Sequence, residues 1–353
     1  MTSAHLPSTK SRIRHGLRFP WAHPPEPGAA QQIEDGLLWL RLPLPMALDH
    51  VNAYALDDGP GWTLVDPGID TPACRAAIDA ALAGPLAGKP VTRVIVTHHH
   101  PDHIGLAGWF QARGAELWTT RTAWLMARML QLEVQDRPDA VTLAFWRAAG
   151  MEPAIYAKRA AVRPFNMADC TAPLLQGYRR LEEGATLCAG GRDWVVRLGD
   201  GHAPDHAMLW RPDLVLGGDQ LLPSISANLG VYPREPDADP VAEWIGAAAA
   251  LEPFASNDQL VLPGHKLPFY GLPLRLRQMI DNHHGALDRL RRLLAQGPHT
   301  ACECFPVLFK RRINEDSYGL ALVEAVAHLN HLWHRGEVGR TARPDGAWIW
   351  HLV

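Results

Sequence analysis

The chain has 353 residues, 47% of them hydrophobic, and a formal net charge of −3 from 34 basic and 37 acidic side chains. That length and composition can bury a large core and suggest one big domain plus a smaller one, while the near-balance of charge carries no global nucleic-acid signature. Nowhere do 18 apolar residues run together, and the first 30 lack the apolar stretch of a secretion signal, so neither a membrane span nor a signal peptide is expected and a cytoplasmic location follows.

Residues 1–30, punctuated by Pro20, Pro24, Pro25 and Pro27, read as an N-terminal extension, poorly ordered or laid along the surface. Apolar runs follow at 37–42, 51–56 and 62–65, the last two separated by Asp57-Asp58-Gly59-Pro60-Gly61. That is a hairpin signal, so the main domain opens as an antiparallel meander ending at the turn Asp66-Pro67-Gly68. Thr71 before Pro72 is an N-cap ahead of proline at the first helical position, and Gly84 closes the run, which predicts a helix over 72–83.

A strand predicted over 91–96 ends in His98-His99-His100-Pro101-Asp102-His103. Pro101 forbids a simple continuation of the ladder, so four metal-capable groups, His98, His100, Asp102 and His103, are delivered on a rigid loop. Among 18 histidines some adjacency is expected by chance, but three of them with an aspartate at this spacing, directly after a strand, point to a metal site. A helix over 104–112 and a strand over 115–119 complete a layered α/β unit.

From 121 to about 180 the spacing turns helical and rich in Met and aromatic residues, among them Trp124, Met126, Met129, Phe145 and Met151. This reads as a helical insertion, packed on its own apolar face or capping a pocket for an apolar group. Strands return at 185–187, 194–198, 208–210 and 214–216, a helix is predicted over 240–251, and a strand over 259–262. Three of these strand ends carry chemistry: His202 in Gly201-His202-Ala203-Pro204-Asp205-His206, Asp219 in Gly217-Gly218-Asp219, and His265 in Pro263-Gly264-His265.

Beyond 270 no such unit recurs. Amphipathic helices are predicted over 274–294 and 317–333, then a two-stranded tail around Pro344-Asp345-Gly346, together a small helical or winged-helix accessory domain over 271–353. That segment carries +3 against −6 for the rest of the chain. The five cysteines, Cys74, Cys170, Cys188, Cys302 and Cys304, are odd in number and scattered, which suits free thiols in a reducing compartment.

Taken together, His98, His100, Asp102, His103, His202, Asp219 and His265 are too many for one tetrahedral zinc and suit two metals sharing a bridging carboxylate, for which Asp219 is the candidate. With Asp66 in Val-Asp-Pro-Gly, the five motifs in this order resemble the metallo-beta-lactamase superfamily of hydrolases over residues from about 35 to 270. The resemblance implies an α/β fold, a four-layer αββα sandwich with the metals at one edge of the two sheets, over 31–270. It also implies two zinc ions, with iron or manganese as alternatives. His98, His100 and His202 would hold the first, Asp102, His103 and His265 the second, and Asp219 both. Asp66 and His206 would support ligands, and Ser226 and Asn228 are candidates to line the substrate pocket.

With no cysteine among the ligands, the set is similar to that of glyoxalase II, which disfavours antibiotic hydrolysis. Asp205 stands where the family motif usually has glycine. The helical insertion and C-terminal domain resemble the subgroup of beta-lactamase-like endoribonucleases and thioesterases, whose C-terminal domain is winged-helix-like. The expected function is hydrolysis of a thioester, ester or lactone with an apolar or acyl portion by a metal-bridging hydroxide, with Asp102 as catalytic residue. A single-stranded RNA nuclease is the alternative, favoured by that subgroup and by Arg289, Arg291, Arg292, Lys310, Arg311 and Arg312; a mono-iron persulfide dioxygenase-like enzyme ranks below it. No membrane partner is expected, nucleic acid is disfavoured, and a homodimer is left open.

Overall fold

The structure, a computed structural model, describes residues 12–309 and 312–353. A short antiparallel hairpin, β1 (Arg12–Arg14) with β2 (Leu17–Phe19), precedes a seven-stranded sheet in sequential order: β3 (Ala30–Glu34), β4 (Leu37–Pro43), β5 (His50–Asp57), β6 (Trp62–Val65), β7 (Val91–Ile95), β8 (Glu116–Thr119) and β9 (Arg179–Arg180). From β3 to β6 the pairing is antiparallel, through short turns. From β6 to β9 it is parallel, because each connection crosses back through helices. These are α1 (Pro72–Ala83), α2 (Pro101–Ile104) with α3 (Ala107–Gln111), and α4 (Arg121–Leu132) with α5 (Ala140–Ala148) and α6 (Pro153–Ala160). The α1 start is the expected one: Thr71 accepts from Cys74 N at 3.3 Å, ahead of Pro72.

The second sheet runs β10 (Thr186–Ala189), β11 (Arg192–Gly199), β12 (His206–Trp210), β13 (Leu214–Gly218) and β14 (Leu260–Pro263), with α7 (Pro240–Leu251) crossing between the last two, which pair parallel. Period-two alternation assigns each residue to a layer. Tyr54 and Leu56 of β5 meet Ala207 and Leu209 of β12 and Leu260 and Leu262 of β14 between the sheets. Their neighbours Val51, Ala53 and Ala55 turn out to Ile78 and Ala81 of α1, and Met208, Trp210 and Val261 turn out to Ala248 of α7. Helix, sheet, sheet, helix is the four-layer αββα arrangement.

The accessory domain is α8 (Leu272–Leu294), α9 (Phe305–Leu308), α10 (Glu315–His334) and the hairpin β15 (Val338–Ala342) and β16 (Trp348–Leu352). Its core does not begin cleanly at 271. Leu272 and Leu276 cover the second sheet, whereas Met279, Leu287 and Leu290 pack on α10, so α8 serves both cores.

Three expectations are corrected, and of the two readings of the first 30 residues the described part takes the one laid along the surface. The 1–30 extension contains the β1–β2 hairpin, whose Leu17 is 0% exposed against Phe269 and Leu272; residues 1–11 lie outside the described residues. The 104–112 helix is two pieces, because the Leu106 N–H leaves the helical ladder for Gly68 O at 2.9 Å, with Leu106 at φ −93° and ψ 4°. Helix in the 121–180 insertion ends at Ala160, and the return to β9 is irregular apart from one 3₁₀ turn, tied down where Asn166 Oδ1 accepts from Gln135 N at 2.7 Å. The insertion packs on others rather than on itself: Phe145 and Met151 join the C-terminal core, Ala127 and Met167 the outer face of the first sheet.

Candidate metal centre

The candidate metal-binding residues and Asp66 come from strand ends, or the loops that follow them, along one edge of the two sheets. Asp66 follows β6, His98 follows β7, Asp219 follows β13 and His265 follows β14, each at the carboxyl end of a strand with a parallel neighbour, where open α/β sheets leave room for ligands. His202 comes from the β11–β12 connection. Pro101 turns the chain after β7 into α2, with His100 at its N-cap and Asp102 and His103 in its single turn.

Two clusters form. His100 Nδ1 lies 3.0 Å from both His98 Nε2 and His202 Nε2. Asp102 Oδ2 lies 3.2 Å from His265 Nε2 and 3.6 Å from His103 Nε2. Asp219 stands between them, with Oδ1 3.5 Å from His103 Nε2 and Oδ2 at 3.5 Å from His202 Nε2 and 3.3 Å from His265 Nε2. In each of three triads, His98/His100/His202, His98/His103/Asp219 and Asp102/His103/His265, the donor atoms lie within 4.8 Å of one another.

The far side of the imidazoles sets which nitrogen faces inward. His103 Nδ1 meets Asp66 Oδ2 at 2.8 Å, His202 Nδ1 meets Asn228 O at 2.9 Å, and His265 Nδ1 meets His50 O at 2.8 Å. All three partners are acceptors, so each Nδ1 carries a proton and each Nε2 faces the centre. His98 Nδ1 meets Thr97 Oγ1 at 2.9 Å, and that hydroxyl donates on to Asp66 Oδ2 at 2.8 Å.

Burial and the neighbouring imidazoles hold His98 and His100 well below the usual histidine range. Burial also opposes protonation of His103 and His265, but the carboxylates of Asp219 and Asp102 outweigh it, raising His103 well above its ordinary value and His265 to about 10. The carboxylates thus favour positive charge at this cluster. His103 Nε2 and Asp219 Oδ1 are moreover buried without a hydrogen-bond partner, a costly state for polar atoms unless something else occupies them. An all-imidazole cluster and a carboxylate–imidazole cluster joined by one carboxylate fit two divalent cations.

His206 is 0% exposed, stacks on His98 at 4.6 Å and accepts from Asp219 N through Nε2 at 3.0 Å, so it braces the loops that carry His98 and Asp219. Ser226 and Asn228, expected to line the pocket, send their side chains to the C-terminal domain instead: Ser226 Oγ accepts from Asn282 at 3.2 Å, and Asn228 Nδ2 donates to Glu324 and Leu320 O. Asn228 reaches the centre by its backbone carbonyl. Asp205 takes a left-handed conformation that favours glycine, at φ +50°, and its carboxylate accepts from Thr122 on α4.

Four supporting residues do not stand out in the sequence. Thr97 bridges Asp66 and His98. Asn52, 0% exposed, donates to Pro263 O at 2.9 Å and Lys266 O at 2.8 Å, and Tyr54 OH donates to Pro263 O at 2.8 Å, fixing the turn that carries His265. Gly264 packs under Asp219 and His103. A signal for Asn52 existed: an amide inside the apolar run Val51–Leu56 must find partners once buried.

Sequence and structure comparisons converge on one family. Residues 46–265 match the metallo-beta-lactamase superfamily and residues 287–352 the metallo-beta-lactamase-like C-terminal domain. The chain is 26% identical over 305 residues to a probable metallo-hydrolase, YqjP, of Bacillus subtilis strain 168, covering 84% of this chain and 92% of that protein. A beta-lactamase domain protein from Burkholderia ambifaria superposes with TM-score 0.87 at 34% identity, covering 96% of this chain and 99% of the other. A metallo-beta-lactamase family protein from Thermus thermophilus gives 0.76 at 28%, covering 91% and 100%. With a family match over most of its length and the motif residues gathered at one sheet edge, the chain belongs to the metallo-beta-lactamase superfamily.

Proposed function

We propose that this protein is a dinuclear metal-dependent hydrolase of a thioester, ester or lactone, with zinc as the metal and iron or manganese as alternatives. The observation that carries the reading is the placement of the Asp219 carboxylate between two donor clusters, facing His202 on one side and His103 and His265 on the other. Two cations bound there would lower the pKa of a water between them and offset negative charge on the attacked carbonyl oxygen. His98, His100 and His202 would hold one, Asp102, His103 and His265 the other. Asp102, with 17% of its side chain exposed against 9% for Asp219, is the more open carboxylate; we assign it orientation of the nucleophile and proton relay to the leaving group. Asp66, Thr97, Asn228 and the His50 carbonyl keep His103, His98, His202 and His265, respectively, in the tautomer that can act.

The loop Leu44-Pro45-Met46-Ala47-Leu48 joins the ends of β4 and β5 beside His50, and Met46 is 52% exposed, which supports a substrate with an apolar or acyl portion. The RNA reading loses support in the C-terminal domain. Arg289 is spent on Val307 O and Gly285 O, and Arg291 on Glu337 and Asp288, while Lys310 and Arg311 lie outside the described residues. No helix among the described residues is long and apolar enough to cross a membrane, and the five unpaired cysteines support a reducing, cytoplasmic setting.

The test is a parallel assay of acyl thioesters, lactones, aryl esters and single-stranded RNA with metal analysis. Turnover of an acyl substrate at about two metals per chain is the expected result. Turnover of RNA alone, falling steeply with salt, would replace this reading by the nuclease; a single iron would favour the dioxygenase-like one.

A further inference from the structure

His202 is anchored differently from the other imidazoles of the centre. Its Nδ1 donates to Asn228 O, and Asn228 lies in the crossing between β13 and α7, a segment stitched to the C-terminal domain. Asn228 Nδ2 donates to Glu324 Oε2 at 2.8 Å and Leu320 O at 3.1 Å, and Val231 N donates to Val323 O at 3.1 Å. Both partners of the Asn228 amide are acceptors, so its nitrogen must be the atom that faces α10. Leu229 and Val231, each 0% exposed, share a core with Val326 and Leu329 of the same helix. The anchors of His103 and His265 are Asp66 and His50, both on the first sheet's strand ends.

We propose that Glu324 of α10 is a positioning residue for His202: through Asn228, the C-terminal domain sets the tautomer and orientation of one ligand of the first cation site and tunes that site alone. The proposal rests on the dinuclear reading of the centre. Glu324 holds the Asn228 side chain, which fixes the backbone whose carbonyl receives the His202 proton. If that carbonyl swings away, nothing holds the proton on Nδ1, and a proton on Nε2 removes the lone pair that faces the centre. The second cluster has no part in this chain of bonds.

The experiment uses the full-length protein, with zinc affinities from chelator competition and visible spectra of the cobalt-substituted form. Glu324→Leu should weaken one of the two metal equivalents by about 10- to 100-fold, leave the other unchanged and shift the cobalt spectrum. Glu324→Gln should restore the parental values, because its amide oxygen still accepts from Asn228. Asn228→Ala, which keeps the carbonyl but loses the side-chain link, should reproduce the loss, and adding Glu324→Leu to it should cost nothing further. Leu329→Ala, in the same helix but outside the chain, should lower the melting temperature without separating the two affinities. The proposal is overturned if Glu324→Leu binds both metals like the parent, if both affinities fall together in step with stability, or if the two substitutions add. Should Glu324→Leu fail to fold, Asn228→Ala decides: a parental pair of affinities sinks the proposal. A parent that binds fewer than two metals counts against the dinuclear centre itself, a separate result.

Discussion

Replacing Asp66 by asparagine keeps the shape of a side chain that is 2% exposed and removes one acceptor. Asp66 Oδ1 accepts from Thr97 N, and Oδ2 accepts from both Thr97 Oγ1 and His103 Nδ1, each at 2.8 Å. With the amide oxygen on Thr97 N, the new NH₂ faces the Nδ1–H of His103. One outcome is a buried donor without a partner, costing about 1–3 kcal/mol and more when charge is lost. The other is a flipped His103 tautomer, with the proton on Nε2 and the inward lone pair gone. Either way metal binding should weaken by about 10- to 100-fold, or about 1.4–2.7 kcal/mol. Because Thr97 Oγ1 also meets His98 Nδ1, imidazoles of both clusters hang on this one carboxylate. Both affinities should therefore fall, unlike the split expected from Glu324→Leu. Competition titration with a zinc chelator reads this directly, and parental affinity for both equivalents in Asp66→Asn would refute the reasoning.

Gly264→Ala would put a Cβ 2.8 Å from His103 Cε1 and closer still to Asp219 Oδ1, so bound metal should fall by at least one equivalent in a folded protein; full occupancy by elemental analysis would contradict the packing. Asp102→Asn should keep most of its metal but lose about 10²- to 10⁴-fold in turnover, and an enzyme with both metals and full rate would remove the proton relay. His283 and His328, 3.2 Å apart in the C-terminal core, are pushed by burial to about 3 and about 4. Unfolded, each regains a pKa near 6.5, so between there and pH 4 the unfolded chain binds protons that the native one refuses. Stability should then drop by about 1.4 kcal/mol per pH unit for each histidine as the solution is acidified. Urea midpoints from pH 7 to 5 should fall less steeply for His328→Leu, and equal slopes would defeat the argument.

Much of this candidate centre was legible because metal-capable side chains cluster locally. His98, His100, Asp102 and His103 sit within six positions, and His202, Asp219 and His265 each follow a recognisable strand. What was not legible depends on partners far away in sequence. Asn228 reads as a polar loop residue, and only contact with Glu324, 96 positions on, gives its side chain a task. The β3 strand, Ala-Gln-Gln-Ile-Glu, lacks an apolar run because it lies at the sheet edge with no residue fully buried. The 161–178 return lacks helix because Pro164 and Pro173 interrupt it and side-chain bonds from Asn166 and Gln131 replace the regular ladder.

The shared helix α8 has a consequence for how the molecule can be divided. As an unbroken rod of 23 residues, about 34 Å long, it belongs to two hydrophobic interiors at once. A cut at residue 270 would strip Leu272 and Leu276 from the second sheet and bare Phe269, while a cut after the helix would leave Leu287 and Leu290 facing water. Neither fragment is a natural module, so the two interiors should melt in one transition. An engineer wishing to exchange the C-terminal domain between relatives would need to graft within α8, at the turn between Leu276 and Met279, rather than at its end.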